Sequence, residues 1–202
     1  MKPIIMSAES VRAILDGRKT QTRRVIKPQP WWIEPPHLEG DKWVGAYSTD
    51  PNITNPTYEA HCPFPVGAEV WVREKWCPYA DEMTKAYCQA HDPEWGEPVK
   101  PAVYAADYEP CDPLDVGGCE KWSSPVTMPR WASRITLEVT GVRAERLQDI
   151  AYPDIVAEGY PDPNHPYPAR MWYMALWDSI NGKRYPWDSN PWVWVVEFRR
   201  IQ

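Results

Sequence analysis

The densest chemistry in this chain lies in Gly17-Arg18-Lys19-Thr20-Gln21-Thr22-Arg23-Arg24, where four cations and three hydroxyl or amide side chains fall within eight residues. An amine, a hydroxyl and a guanidinium at this spacing can converge on a polar ligand. They can equally form a solvated basic turn. If the segment runs extended, alternation puts Gln21 and Arg23 on one face and Thr20, Thr22 and Arg24 on the other, with Lys19 at the turn before them. A lysine crowded by Arg18, Arg23 and Arg24 and partly desolvated gives up its proton more readily than usual, which makes its neutral amine available as a base. Thr22 is then a nucleophile or the group that positions a water. Arg24, with Arg23 and Gln21, is a binding set for a carbonyl or carboxylate.

Amide hydrolysis needs such groups together with an acid for the leaving amine. Glu158 is the candidate acid. Pro153 suits the first turn of a short helix and Gly159 suits its exit, so Glu158 falls at a helix C-terminus. The dipole there disfavours a negative charge, so an acid at that place tends toward a raised pKa unless a cation compensates. An ordinary ion pair between Lys19 and Glu158 is the plain alternative, giving the same proximity without catalysis. Trp71 offers a stacking face for a base, as do Trp76 and Trp131. Arg73 and Glu74, beside Trp71, complete the candidate binding residues.

The elements that must position these groups can be read from periodicity. Lys2 to Met6 is a short apolar run, broken by Ser7. Ser7 caps a helix with Val11, Ile14 and Leu15 on one stripe and Gly17 at its end. Thr20 to Ile26 is a strand stopping before Pro28, so the opening unit is strand, helix, strand. Glu69 to Glu74 alternates as a strand, as does Ser133 to Arg143, where Ile135, Leu137 and Val139 face away from Thr136, Glu138 and Thr140. A helix over about 168–180 places Met171, Trp172, Ala175, Leu176 and Ser179 on one stripe, and Trp192 to Ile201 is the last strand. The two Pro-rich stretches at about 28–65 and 77–130 read as ordered insertions with little regular structure, apart from a short strand at 102–106. The first of them packs over the core or acts as a lid.

The composition, 13 Trp, 11 Tyr and 24 Pro against 2 Phe and 10 Gly, predicts short elements joined by aromatic-packed loops. A length of 202 residues fits one domain, 1–202, with insertions. The net charge of −6 argues against non-specific binding of long nucleic acid and leaves a small ligand or a local RNA contact open. No apolar run is long enough for a membrane span, and the N-terminus lacks the pattern of a signal peptide, which together predict a cytoplasmic protein without membrane partners. The five cysteines, at 62, 77, 88, 111 and 119, include no C-x-x-C pair, so buried free thiols are expected rather than a disulfide framework. Cys88 and His91 have the spacing of two zinc ligands but match no closed zinc module, so no metal and no cofactor is expected.

Two separated motifs resemble one family. The strand, helix and Gly-x-Lys-Thr-x-Thr-x-Arg opening, together with Ala157-Glu158-Gly159 after a leucine-bearing helix, is similar to the ASCH family of small β-barrels related to PUA domains. The resemblance covers roughly residues 2–27 and 131–201. It implies an α+β fold: a PUA-like barrel of five to six strands with two to three short helices, the Pro- and Trp-rich insertions lying outside it. In the small bacterial members that hydrolyse N4-acetylcytidine, the matching positions make Lys19, Thr22 and Glu158 the catalytic set and Arg24 the companion base. This chain departs from that pattern in carrying Arg23 beside Arg24 and in its two long insertions. The resemblance implies a metal-independent amidohydrolase acting on an N4-acylated cytosine, cytidine or related nucleoside. Its alternatives are a non-catalytic RNA- or nucleotide-binding module and a ribonuclease. Longer Trp- and Pro-rich variants of the family are common among phage and prophage genes.

Overall fold

A computed structural model of the chain describes residues 1–30, 36–39, 42–46, 57–78, 102–108, 119 and 121–202. The expectations for Trp31, Trp32, Cys88, His91 and Cys111 lie outside these residues. The structure is a mixed α and β one, with three α-helices and several β-sheets among the described residues. None of these helices is long and apolar enough to cross a membrane. The chain divides into two compact units, Met1–Asp16 with Glu69–Leu137 and Arg200–Gln202, and Gly17–Ala68 with Glu138–Arg199.

In the first unit, β1 (Lys2–Ile5) pairs in parallel with β6 (Glu69–Arg73), Lys2 lying opposite Val70 and Ile5 opposite Arg73. Ile4 and Met6 are buried while Ile5 is exposed, so β1 covers its neighbours with one face only. Helix α1 (Ala8–Leu15) begins as the sequence predicts: the Ser7 hydroxyl accepts from the Ser10 amide at 3.2 Å, and Val11, Ala13 and Ile14 are buried. Strands β7 (Trp76–Pro78) and β8 (Ala102–Tyr104) form an antiparallel pair, and Trp76, Ala102, Tyr104, Met128 and Ala132 make its core. Cys77 and Cys119, with Cα atoms 5.8 Å apart, form a disulfide packed against Val103 and Trp122. This corrects the expectation of free thiols for that pair. With the two cysteines 42 positions apart, no local spacing could have signalled the bond.

The second unit contains the basic motif. Strand β2 (Gln21–Val25) runs antiparallel to β10 (Trp192–Arg200), with Glu197 opposite Gln21 and Val193 opposite Val25. β10 is flanked on its other edge by β9 (Thr136–Arg146), which extends three residues beyond the predicted end at Arg143. Helices α2 (Tyr152–Ala157) and α3 (Ala169–Asn181) cover the core formed by Leu147, Ile155, Tyr160, Tyr173, Trp177, Trp187 and Val193. The buried stripe of α3 is Ala169, Tyr173 and Trp177, with Trp172 and Leu176 at its margins, and Met171 is 63% exposed. The predicted stripe is therefore rotated. Two large rings four residues apart fill the core against Trp187, and a count of aliphatic positions underweights Tyr173 because of its polar tip. Within residues 28–65, strands β3 (His37–Glu39), β4 (Lys42–Ala46) and β5 (Thr57–Ala60) form a small antiparallel sheet, where little regular structure was expected. Trp43 of β4 meets Trp194 of β10 at 5.8 Å between ring centroids, the packing role foreseen for this insertion.

Candidate active site

The basic motif starts from a turn. Gly17, at φ +74°, takes the left-handed conformation that ends α1 and sends the chain out extended. Lys19 forms an isolated antiparallel bridge with Glu158, the Thr20 amide donates to the Ala157 carbonyl at 2.9 Å, and the Phe198 amide donates to the Thr20 carbonyl at 2.9 Å. The motif is thus pinned on one side to the end of α2 and on the other to β10.

The end of α2 is itself fixed by sequence. Glu158 is the C-cap of α2, directly after Ala157, and Gly159 follows at φ +99°. The Tyr160 amide donates to the Ile155 carbonyl at 3.3 Å and the Gly159 amide to the Val156 carbonyl at 2.9 Å, the paired bonds of a Schellman ending. Tyr160 and Ile155, the side chains flanking this ending, share the hydrophobic core. Glu158 is therefore held by a turn that only glycine adopts without strain. Gly159→Ala is expected to lower stability by about 1–3 kcal/mol and to loosen the Lys19–Glu158 pair; an unchanged urea midpoint would show that the turn does not fix it.

Lys19 and Glu158 form a buried ion pair, with 3% and 4% of their side chains exposed and Nζ 2.6 Å from Oε2. The same Nζ donates to the Glu158 backbone carbonyl at 2.8 Å, so the lysine also caps the C-terminus of α2. The other carboxylate oxygen, Oε1, accepts from Arg23 Nη1 at 3.2 Å and from the Tyr173 hydroxyl at 3.4 Å. Arg23 is enclosed by acids: Nε and Nη2 donate to Glu145 Oε1 at 2.9 and 2.6 Å, Nη2 lies 3.3 Å from Asp154 Oδ2, and Nη1 also donates to Gln21 Oε1 at 3.0 Å. Its guanidinium sits 5.9 Å from the centroid of the Tyr173 ring. Arg143 extends the cluster outward, donating to Glu145, Asp154 and Glu197 at 3.0, 2.9 and 2.6 Å.

The two cations on Glu158 respond to this environment in opposite directions. Burial drives the Lys19 amine below its ordinary value; Glu158 opposes that shift, and the nearby Arg24 and Arg23 reinforce it. Burial also works against Arg23, but the carboxylates of Glu158 and Glu145 outweigh it and push Arg23 up. The difference is a matter of share: Arg23 has three carboxylates about it, whereas Lys19 has one that it divides with Arg23. Burial above all holds the Tyr173 hydroxyl far above the usual phenol range, so it remains a neutral donor to Glu158. Asp154 is desolvated by burial, yet Arg23 and Arg143 together bring it below the ordinary carboxylate value. Its folded pKa is thus depressed, and the stability it contributes is present above about pH 3.8 and lost as pH falls through the folded value. Asp154→Asn is expected to flatten the acid limb of the unfolding curve; an acid midpoint identical to that of the parent protein would show that this carboxylate carries none of it.

The structure brings Lys19, Gln21, Arg23 and Glu158 together. Thr22 follows the alternation of β2: it is buried opposite Val196, its side chain turned to the other face from Arg23, and its hydroxyl makes no hydrogen bond to another described residue. Arg24 shares that parity, yet it lies close enough for the Glu158 charge to act on it, while burial lowers its pKa. Trp71, Arg73 and Glu74 belong to the first unit. There Glu74 is fully buried in a two-pronged pair with Arg134, at 2.9 and 3.0 Å, whose guanidinium lies 4.0 Å from the Tyr104 ring centroid. Sequence reasoning missed Tyr173, Glu145, Asp154 and Arg143. Asp154 precedes Glu158 by four residues at the end of one helix, a readable signal, and Arg143 and Glu145 share a face of β9. Nothing local marked Tyr173.

No protein-family model, no characterised protein and no solved structure matches this chain.

Proposed function

We propose that this chain is an amidohydrolase of the ASCH type, with a PUA-like barrel, that removes the acyl group from an N4-acylated cytosine, cytidine or related nucleoside without needing a metal. The observation that carries the reading is a buried lysine with a lowered pKa, held at 2.6 Å against a carboxylate. A neutral amine has two N–H groups and one lone pair. The two acceptors around Lys19, the Glu158 carbonyl and Oε2, match the two N–H groups and leave the lone pair to take a proton. In the proposed reaction Lys19 removes a proton from a water as its oxygen attacks the acyl carbon. A guanidinium of the motif, Arg24 or Arg23, stabilises the oxyanion that develops. The C–N bond then breaks as the proton passes from Lys19 through Glu158 to the exocyclic nitrogen, releasing the carboxylic acid and the free amine. Thr22 and Arg24, two residues apart on β2, are assigned to substrate binding and to orienting the water.

The deciding experiment follows the ultraviolet spectrum of N4-acetylcytidine with the purified chain. Conversion to cytidine supports the reading, and a folded protein that leaves the spectrum unchanged removes it. One observation favours a second reading, a non-catalytic RNA- or nucleotide-binding module. The alternation of β2 turns Thr22 away from Arg23 and its carboxylates, and the Lys19–Glu158 pair is complete without it. On that reading a short RNA binds with strong salt dependence, and neutralising Arg24 weakens it.

A further inference from the structure

The first unit holds a second convergence of cations, for which the proposed reaction has no use. Along β6, Val70 and Val72 point to one face and are buried, while Trp71 and Arg73 share the other. The Arg73 guanidinium lies 4.8 Å from the centroid of the Trp71 ring, and that of Arg130 lies 5.8 Å from the same ring. Other arginines placed over rings in this structure are also anchored by an acceptor. Arg23 donates to Glu145, Arg134 to Glu74, Arg146 to the Asn190 carbonyl, and Arg170 to the carbonyls of Gln148 and Ile150. Arg73 donates to no described residue, and its Nε is buried without an acceptor. Arg130 donates only to the Thr136 hydroxyl, at 3.2 Å, a neutral partner. Neither guanidinium has a carboxylate partner among the described residues, in a chain with more acids than bases. A guanidinium fork left open in this way suits an oxyanion of carboxylate or phosphate shape. Directly after Arg130 stands Trp131, 53% exposed, its ring edge-on to Trp76 at 5.9 Å. Its exposed surface is suited to stacking on a nucleobase.

We propose that Arg73 and Arg130, gathered on Trp71, form a phosphate site in the first unit, and that its ligand is a nucleotide whose base stacks on Trp131. Arg73 and Arg130 supply the charge and the forked donors, Trp71 holds both guanidinia in place, and Trp131 supplies selectivity for a phosphate that carries a flat ring.

The test is calorimetric titration of the whole chain with adenosine 5′-monophosphate, inorganic phosphate and adenosine in parallel, at two salt concentrations. The nucleotide is expected to bind at least about tenfold more tightly than either fragment, with binding weakened by salt. Arg73→Met and Arg130→Met are each expected to reduce nucleotide affinity by about tenfold or more, the loss that follows from removing a charge-assisted contact. Arg73→Lys keeps the charge without the fork and should fall between the parent protein and Arg73→Met, which guards against a loss due to misfolding. Trp131→Ala should reduce the nucleotide to the affinity of phosphate alone, and Lys19→Met should leave binding unchanged. Absence of nucleotide binding, undiminished binding in the Arg73→Met, Arg130→Met double variant, or loss confined to Lys19→Met would each overturn the proposal.

Discussion

Glu158→Ala is expected to destabilise the fold by about 3–5 kcal/mol, more than any other single change in the cluster. The reason is the number of groups that depend on this carboxylate. Removing it leaves the Lys19 amine without a carboxylate partner in a buried position, takes one of three acids from Arg23, and strips the acceptor from the Tyr173 hydroxyl. Lys19→Met is expected to cost less, on the order of 1–2 kcal/mol, because Glu158 retains Arg23 and Tyr173 when the lysine is gone. Combining Lys19→Met with Glu158→Leu should recover part of the loss, since a buried pair replaced by apolar groups of similar volume is often tolerated. Urea unfolding of the three variants measures all of this. A cost for Glu158→Ala below about 1 kcal/mol, the range of exposed pairs, would mean that water reaches the pair and that the buried reading is wrong.

Lys19→Ala is expected to lower turnover of N4-acetylcytidine by about two to four orders of magnitude, the usual contribution of a positioned general base. In the parent protein kcat/KM should rise with pH and level off below the value of 10.5 at which an ordinary lysine loses its proton, because burial lowers the Lys19 pKa. The same shift has a stability consequence of definite sign. The folded pKa is depressed, so between it and 10.5 the unfolded chain binds more protons than the folded one. Stability from this group therefore grows as pH rises through that window, is complete above 10.5, and is lost as pH falls through the folded value. Titration of Lys19 by NMR beside the pH–rate profile checks both statements. A lysine that titrates at or above 10.5, or a rate indifferent to Lys19→Ala, would leave the pair a structural tie.

The same cluster separates what a sequence carries from what folding adds. Features set by neighbours along the chain were readable. Ser7 and Gly17 bracket α1, Pro153 and Gly159 bracket α2, and the alternating Ile135, Leu137 and Val139, the last two within β9, are all buried. Each follows from a backbone preference or a periodicity that acts over a few residues. The split of β2 into two faces was readable for the same reason, and it put Gln21 with Arg23 on one side.

What could not be read was which groups meet across the fold. Lys19 and Glu158 are 139 positions apart and Arg23 and Glu145 are 122 apart, separations at which no pattern in the chain favours one acid over another. Only the packing of α2 and β9 about β2 gives Arg23 three carboxylates and leaves Lys19 to share one, and that inequality sets their opposite pKa shifts. Tyr173 reached the cluster because the buried stripe of α3 is set by how its rings fit against Trp187, a matter of volume rather than of apolar count. By itself the sequence determined the turns, the strand faces and the presence of an amine and a carboxylate of the right types, because those depend on local backbone chemistry. The tertiary structure decided their burial, their partners and therefore their charge, because desolvation and Coulomb forces depend on distance in space and not on distance along the chain.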